Sequence, residues 1–307
     1  MFLLVTWSLN LLNQGTKKGT GKMAFLMYYV ISTFLVTSCS AGKIIDLSHK
    51  HDPNTLTSLH GHPQYNLSRI YKGTEALGVY VELNYYGSSE HGGTHIDAPS
   101  HFVEGGTPID EIPIEHTILE GVMLDLSQEA ARNQDYTVSV QRLKDWEKEH
   151  GKIPKESAVL FYFGWYQKFN DETQYRGTRE LGNALTYQYP YVTIEAARWL
   201  LDERGVRAYG SDTLSVDPFQ INGKHSKFPI HVLVLSQHRI IVENLRDLDK
   251  LPPRNFRFHF SPVKYVGASG TQVRAYGITY DAAGNGADAV HATSFAAMFA
   301  ELLIHRW

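Results

Sequence analysis

A mixed α/β or α+β domain is the fold the sequence predicts, and three observations carry that expectation. Short apolar runs such as "GVMLDLS" (121–127) and "AVLFYFGW" (158–165) have the length and composition of buried strands. Stretches with helical spacing of apolar residues alternate with them along the chain, and that alternation implies a layered arrangement of strands and helices. From Lys43 onward no linker, repeat or low-complexity tract appears, so one domain over 42–307 is expected behind an N-terminal extension over 1–41.

Taken in order, "ALGVYVELNYY" (76–86) alternates apolar and polar residues and reads as a half-buried strand that runs into a histidine-rich segment. After "GVMLDLS", Thr137 is placed to cap a helix in which Val140, Leu143 and Trp146 recur at helical spacing and Gly151 ends it. A second helix starts near Thr193, sets Ala197, Leu200 and Leu201 on one face, and stops at Gly205. "VRAYG" (206–210), "RIIVENL" (239–245) and "VRAYGITY" (273–280) follow as strands. The tail "SFAAMFAELLIHRW" (294–307) reads as an amphipathic helix suited to packing or an oligomer contact.

Composition narrows the function. A formal charge of -3 with 43% hydrophobic residues describes a globular protein without the basic excess of nucleic-acid binders. Nucleic acid is therefore excluded as a partner. The first forty residues differ from the rest: "AFLMYYVISTFLV" (24–36) is apolar, follows a lysine-containing stretch, and precedes the small residues of "TSCSAG". This predicts a secretory leader, shorter than the about 20 residues a membrane span needs, so no membrane association is expected once it is cleaved. Met1 and Met23 are both candidate starts. Cys39, the one cysteine, lies in this leader and doubles as a candidate lipidation site, so disulfides are not expected in the mature chain. Asn66-Leu67-Ser68 is a glycosylation sequon.

The chemistry concentrates in "HGGTHIDAPSHF" (91–102). His91, His95, Asp97 and His101 would share one face of an extended strand, yet span roughly 33 Å at about 3.3 Å per residue. One site therefore requires a bend, and Gly92, Gly93 and Pro99 supply it. His95 and Asp97, about 6.6 Å apart on a strand, are placed to share a metal, with His91 swinging in through the glycine turn. Imidazole with carboxylate suits zinc, manganese or iron, and three protein ligands leave the open position of a catalytic site. A second contribution comes from "HVLVLSQHRIIVEN" (231–244), where a polar turn at 236–239 reverses the chain and lets His231 face Glu243. Glu243 follows the apolar "IIV" into the interior, where it needs a partner.

"HGGTHIDAPSHF" resembles the HxGTHxDxPxHF signature of the metal-dependent cyclase superfamily, which includes bacterial-type kynurenine formamidase and isatin hydrolase. "IIDLSH" (44–49), "YGSDTLSVDP" (209–218), "ENLRDLDKLP" (243–252) and "GASGTQVRAYGI" (267–278) resemble its other segments in the same order, so the similarity covers about 44–280. The resemblance implies an α/β fold of the swivelling β/β/α type, a mixed sheet with flanking helices, assembled as a homodimer or homotetramer. It implies one or two divalent metals, zinc or manganese. His91, His95 and Asp97 would bind the first, Asp97 and Glu243 would bridge, and His231 would complete the second. His101 matches the general acid/base, a role open to a histidine close to the ligands.

The activity implied is hydrolysis of a small aromatic amide, in the first place N-formylkynurenine to kynurenine and formate. Ring opening of a cyclic amide or lactone is the alternative, and a secreted binding protein without turnover a third. Where formamidases of the family carry Trp-Pro-Gly, this chain has Leu59-His60-Gly61, without an indole. No GxSxG supports a serine hydrolase, and "GNGADA" (284–289) has too little chain after it for a dinucleotide-binding unit.

Overall fold

The computed structural model describes residues 42–280. The expected leader with Cys39, the "GNGADA" segment and the amphipathic tail lie outside the described residues. Among the described residues are fifteen strands: β1 Ile44–Asp46, β2 Asn66–Thr74, β3 Tyr80–Gly87, β4 His95–Asp97, β5 Ile118–Asp125, β6 Thr137–Val138, β7 Ala158–Tyr162, β8 Tyr191–Val192, β9 Ala208–Ser211, β10 Gln220–Ile221, β11 Lys224–His225, β12 Ile240–Glu243, β13 Phe256–His259, β14 Gly270–Gln272 and β15 Tyr276–Thr279. The α-helices are α1 Ser127–Arg132, α2 Val140–His150, α3 Glu172–Arg176, α4 Ile194–Arg204 and α5 Pro229–Ser236.

Nine strands form one mixed, curled sheet in the order β1-β15-β13-β5-β7-β9-β12-β4-β14. Its middle, β5-β7-β9-β12, is parallel, because helical crossovers return the chain in the same direction each time. The outer strands are antiparallel. Alternation sorts the side chains between two cores. Val122, Leu124, Val159, Phe161 and Ile241 face the helices and meet Leu143, Trp146, Ala197, Leu200 and Leu235. Leu119, Met123, Leu160, Ile240 and Val242 point the other way, where Phe256, Phe258, Phe260 and Leu47 close a second core. The central strands are apolar on both faces for this reason.

The helices end where the residue chemistry requires. Thr193 accepts the amide of Ala196 and caps α4, and Gly205, at φ 61°, closes it in the left-handed conformation. For α2 the cap is Ser139, which accepts from Arg142, rather than the expected Thr137. Thr137 is held in β6, paired with Tyr191 of β8. The strand expected over 76–86 begins at Tyr80, since Gly78 at φ 79° turns the chain between β2 and β3. That hairpin pairs with no other strand among the described residues, and most of its side chains are exposed on both faces.

Candidate metal centre

Strand β4 lies between β12 and β14, and the register decides what meets what. His95 stands opposite Glu243, Asp97 opposite Ile241, and Ile96, turned to the other face, opposite Val242. The period of two therefore sends His95, Asp97 and Glu243 to the helix side of the sheet. On the other edge Gly270 stands opposite Asp97. From above, α5 brings His231 onto the same spot. Its Nε2 lies 3.4 Å from Asp97 Oδ2 and 3.4 Å from Glu243 Oε1. His95 Nε2 lies 3.2 Å from Asp97 Oδ1 and 3.6 Å from Glu243 Oε2. All four side chains are buried.

Hydrogen bonds on the far side of each ring fix which nitrogen faces inward. His95 Nδ1 donates to the Gly93 carbonyl at 2.9 Å, and His231 Nδ1 donates to the Asp217 carboxylate at 2.8 Å. A carbonyl and a carboxylate only accept, so both rings turn bare Nε2 atoms toward two carboxylates. With both rings neutral, lone pairs would face lone pairs across 3.2–3.6 Å in a buried space. His95 Nε2 and Asp97 Oδ2 accordingly have no hydrogen-bond partner. Such a set calls for a cation. Its donor separations match the about 3.3 Å between donors of a tetrahedral site with bonds near 2.0–2.1 Å, so these residues fit a divalent metal. Burial works against ionisation of Asp97, but His95, His231 and His91 hold its carboxyl well below the usual range. A proton can stand in for that cation: burial works against the charged form of His231, yet Asp217, Asp97 and Glu243 hold its pKa well above the ordinary value, so in the metal-free form its Nε2 carries a hydrogen toward the carboxylates.

The remaining candidates sit beside this cluster. His91, reached through Gly93 at φ 60°, donates from Nδ1 to Asp97 Oδ1 at 2.7 Å, and its Nε2 lies 3.0 Å from Ser269 Oγ. His101 stacks on the His91 ring with centroids 3.7 Å apart. Burial, with His91, His231 and His95 nearby and only Asp97 opposing, lowers its pKa to about 3. The donor atoms thus fall into two groups that share Asp97: His95, Asp97 and Glu243 in one, His91, Asp97 and His101 in the other. The expected first trio meets on one oxygen, since His91 Nδ1 and His95 Nε2 both approach Asp97 Oδ1, at 2.7 and 3.2 Å, with ring centroids 5.3 Å apart. The β4–β12 register adds Glu243 beside His95, and ring stacking adds His101 beside His91.

Several supporting residues escaped sequence reasoning. Asp217 lies within a segment quoted for its resemblance, yet no spacing marks it out. Its two oxygens accept the amides of Ile230 and His231 at the start of α5 and orient the His231 ring. Asn244, in the left-handed region at φ 54°, donates to the Gly93 carbonyl and accepts from Tyr175, bracing the group that holds His95. An aromatic wall adjoins the centre: Phe102 lies 4.5 Å from the His101 ring, 4.7 Å from His231 and 5.4 Å from Phe228.

Comparison with known proteins places this geometry. The signature of the family described as "Putative cyclase" matches residues 45–218. Isatin hydrolase of Roseibium aggregatum is 29% identical over 202 residues, covering 64% of this chain and 75% of that protein. Kynurenine formamidase of Salinibacter ruber is 27% identical over 196 residues, covering 64% and 79%. Among solved structures, isatin hydrolase A from Ralstonia solanacearum superimposes with a TM-score of 0.71 at 28% identity, covering 82% of this chain and 97% of that one.

Proposed function

We propose, from the premise that the chain belongs to the cyclase family whose signature it carries over residues 45–218, that it is a metal-dependent hydrolase cleaving the amide C–N bond of a small aromatic substrate, a cyclic amide of the isatin kind. The observation that carries the reading is the set of inward-facing donors on His95, His231, Asp97 and Glu243, two of whose atoms are buried without a partner. A divalent metal there, zinc or manganese, would polarise the amide carbonyl and acidify water.

The chain's own residues supply the rest. Asp217 and the Gly93 carbonyl hold the His231 and His95 rings in the one orientation that presents Nε2. His101 sits against His91 with no fixed hydrogen-bond partner, and its neutral ring takes the proton of the attacking water and returns it to the leaving nitrogen. Water's oxygen ends on the acyl carbon as a carboxylate, and the nitrogen leaves as an amine. Phe102 and Phe228 offer the aromatic contact that Leu59 does not, and Phe228 is held at φ 50° at the head of α5, so its ring is placed by the same helix as His231.

The isatin-like substrate is preferred to N-formylkynurenine on the structural match to isatin hydrolase A and on the missing indole at 59–61. Ring opening of isatin and deformylation of N-formylkynurenine are to be measured on the same protein, stripped by chelation and then restored with zinc or manganese. Metal-restored ring opening is expected to be the faster. Faster deformylation would move the assignment to an arylformamidase, and no turnover of either by fully loaded protein would overturn the hydrolase. In the His101→Ala protein turnover should fall by about 10²-fold or more with metal content unchanged; full activity there would remove His101 from the reaction.

A further inference from the structure

We propose that a cavity beside the metal centre is a second binding site, one that takes an aromatic amino acid and tightens when metal is bound. The cavity has a volume of about 750 Å³, within the range of small-molecule sites, and none of His91, His95, Asp97, His101, His231 and Glu243 lines it. Its walls come mainly from three places: the segment after β1, from His49 to Leu56; the turn between β7 and α3, from Tyr166 to Asn170; and Arg246 beyond β12.

The walls decide the class of ligand. Lys50 and Arg246 are cationic and Asp52 and Glu172 anionic, so the lining carries no net charge and suits a molecule with both signs better than a plain anion or cation. Arg246 is engaged by Asp247 at 3.0 Å, and Glu172 by Arg176 at 2.8 Å. Lys50 and Asp52 are exposed and make no ion pair among the described residues, which leaves an ammonium for a ligand carboxylate and a carboxylate for a ligand ammonium. Leu56 and Phe169, both buried, lay an apolar floor. The His49 ring, stacked on Phe169 at 3.8 Å and uncharged at neutral pH, extends it. An aromatic side chain fits such a floor.

The same walls brace a metal ligand. Phe169 meets the Tyr175 ring edge-on at 5.2 Å, and the Tyr175 hydroxyl donates to Asn244 Oδ1 at 2.8 Å. Asn244 Nδ2 donates to the Gly93 carbonyl at 3.0 Å, the group that also receives His95 Nδ1. A second link runs through the backbone. The His49 amide donates to Thr94 Oγ1 at 2.9 Å, and that hydroxyl donates to the Asn244 carbonyl at 2.7 Å. A metal that fixes His95 therefore steadies Phe169 and His49 as well, and an incoming ligand meets walls already in place. Coupling between two binding events is reciprocal, so the amino acid tightens metal binding by the same factor.

Equilibrium dialysis of the full chain against L-phenylalanine tests this, first on chelated, metal-free protein, where the outcome is independent of turnover. Phenylalanine should bind saturably, and 3-phenylpropanoate and 2-phenylethylamine, which keep one charge each, about tenfold more weakly or worse. Lys50→Gln and Asp52→Asn should each cost about tenfold or more in affinity with the melting temperature unchanged. In manganese-loaded protein the wild-type affinity should rise about fivefold or more, and Lys50→Gln should cost as much there as in the metal-free form. Absence of saturable binding to the metal-free chain, equal binding of the single-charge analogues, or variants that bind as wild type does each overturn the site. A loaded Lys50→Gln protein that matches loaded wild type puts the ligand on the metal and overturns it too. An affinity indifferent to manganese overturns the coupling.

Discussion

Asp217 does three things with one carboxylate: it accepts two amides at the head of α5 and sets the tautomer of His231. Without it the ring is free to present Nδ1, and the bare nitrogen no longer faces Asp97 and Glu243. Asp217→Asn should therefore weaken metal binding about 10- to 100-fold while the helix stays in place. Competition with a chelating dye measures this, and an unchanged affinity would mean that the ring is oriented by something else. That these donors cluster was readable in the sequence, because histidines and an aspartate around two glycines and a proline leave few other uses. Asp217 was not, since its role depends on α5 arriving above β4, which no local spacing reveals. That His95 faces Glu243 was hidden for the same reason, as register across β12 decides it.

At the level of elements, β4 is only three residues long, yet the centre is hung on it. Gly270 on the neighbouring strand leaves room for the His91 ring: a methyl group there would meet that ring, coming within 2.8 Å of Nδ1, and would lie 2.9 Å from the Ile96 carbonyl oxygen. Gly270→Ala should push His91 aside or part β14 from β4. Turnover should drop by about 10²-fold with a stability loss of roughly 1–3 kcal/mol; kinetics and thermal melting read the two effects separately, and wild-type kinetics would show that His91 tolerates the shift. Elements with strong periodicity and end signals, such as α4 between Thr193 and Gly205, were legible to the residue. At α2 the expected cap, Thr137, and the one found, Ser139, both offer a hydroxyl, and it is the pairing of β6 with β8 that removes Thr137 from the role. β4 itself carries too few residues for any periodicity to show.

For the whole molecule, stability is coupled to the centre and to pH. Facing donors at His95, His231, Asp97 and Glu243 oppose the metal-free fold, and metal binds the folded form alone. At a hundredfold excess over Kd, zinc or manganese should add about 2.7 kcal/mol, which is roughly 5–10 °C in melting temperature for a domain of this size. A melting temperature indifferent to metal would contradict the donor set. Outside the donor cluster, His49 stacks on Phe169 at 3.8 Å, and burial, with Arg246 nearby and Asp247 partly offsetting it, lowers its pKa to about 3. The unfolded chain takes up this proton below about pH 6.5 and the folded one does not, so the stability His49 contributes is complete above that pH and declines as pH falls toward 3, by at most about 1.4 kcal/mol per unit. Between pH 7 and 5 the melting temperature of His49→Phe should fall less than that of wild type; an equal fall would assign the acid sensitivity to other groups. The α/β class was legible from the alternation of runs, but the order of nine strands was not, because periodicity tells which face is buried and says nothing about which strand lies alongside. The hairpin shows that limit from the other side, since an alternation that predicts a half-buried strand stands here with its apolar face uncovered.

The position of β4 also sets a timetable. It is made early, yet it is held between β12 and β14, and its backbone partners lie some 150 residues later, as the pairing of His95 with Glu243 shows. On a ribosome the segment that carries His91, His95 and His101 must wait, unpaired, until nearly all of the domain has emerged. The donor set is thereby completed only at the end of synthesis, and a chain cut short before β14 has no slot in which to seat it.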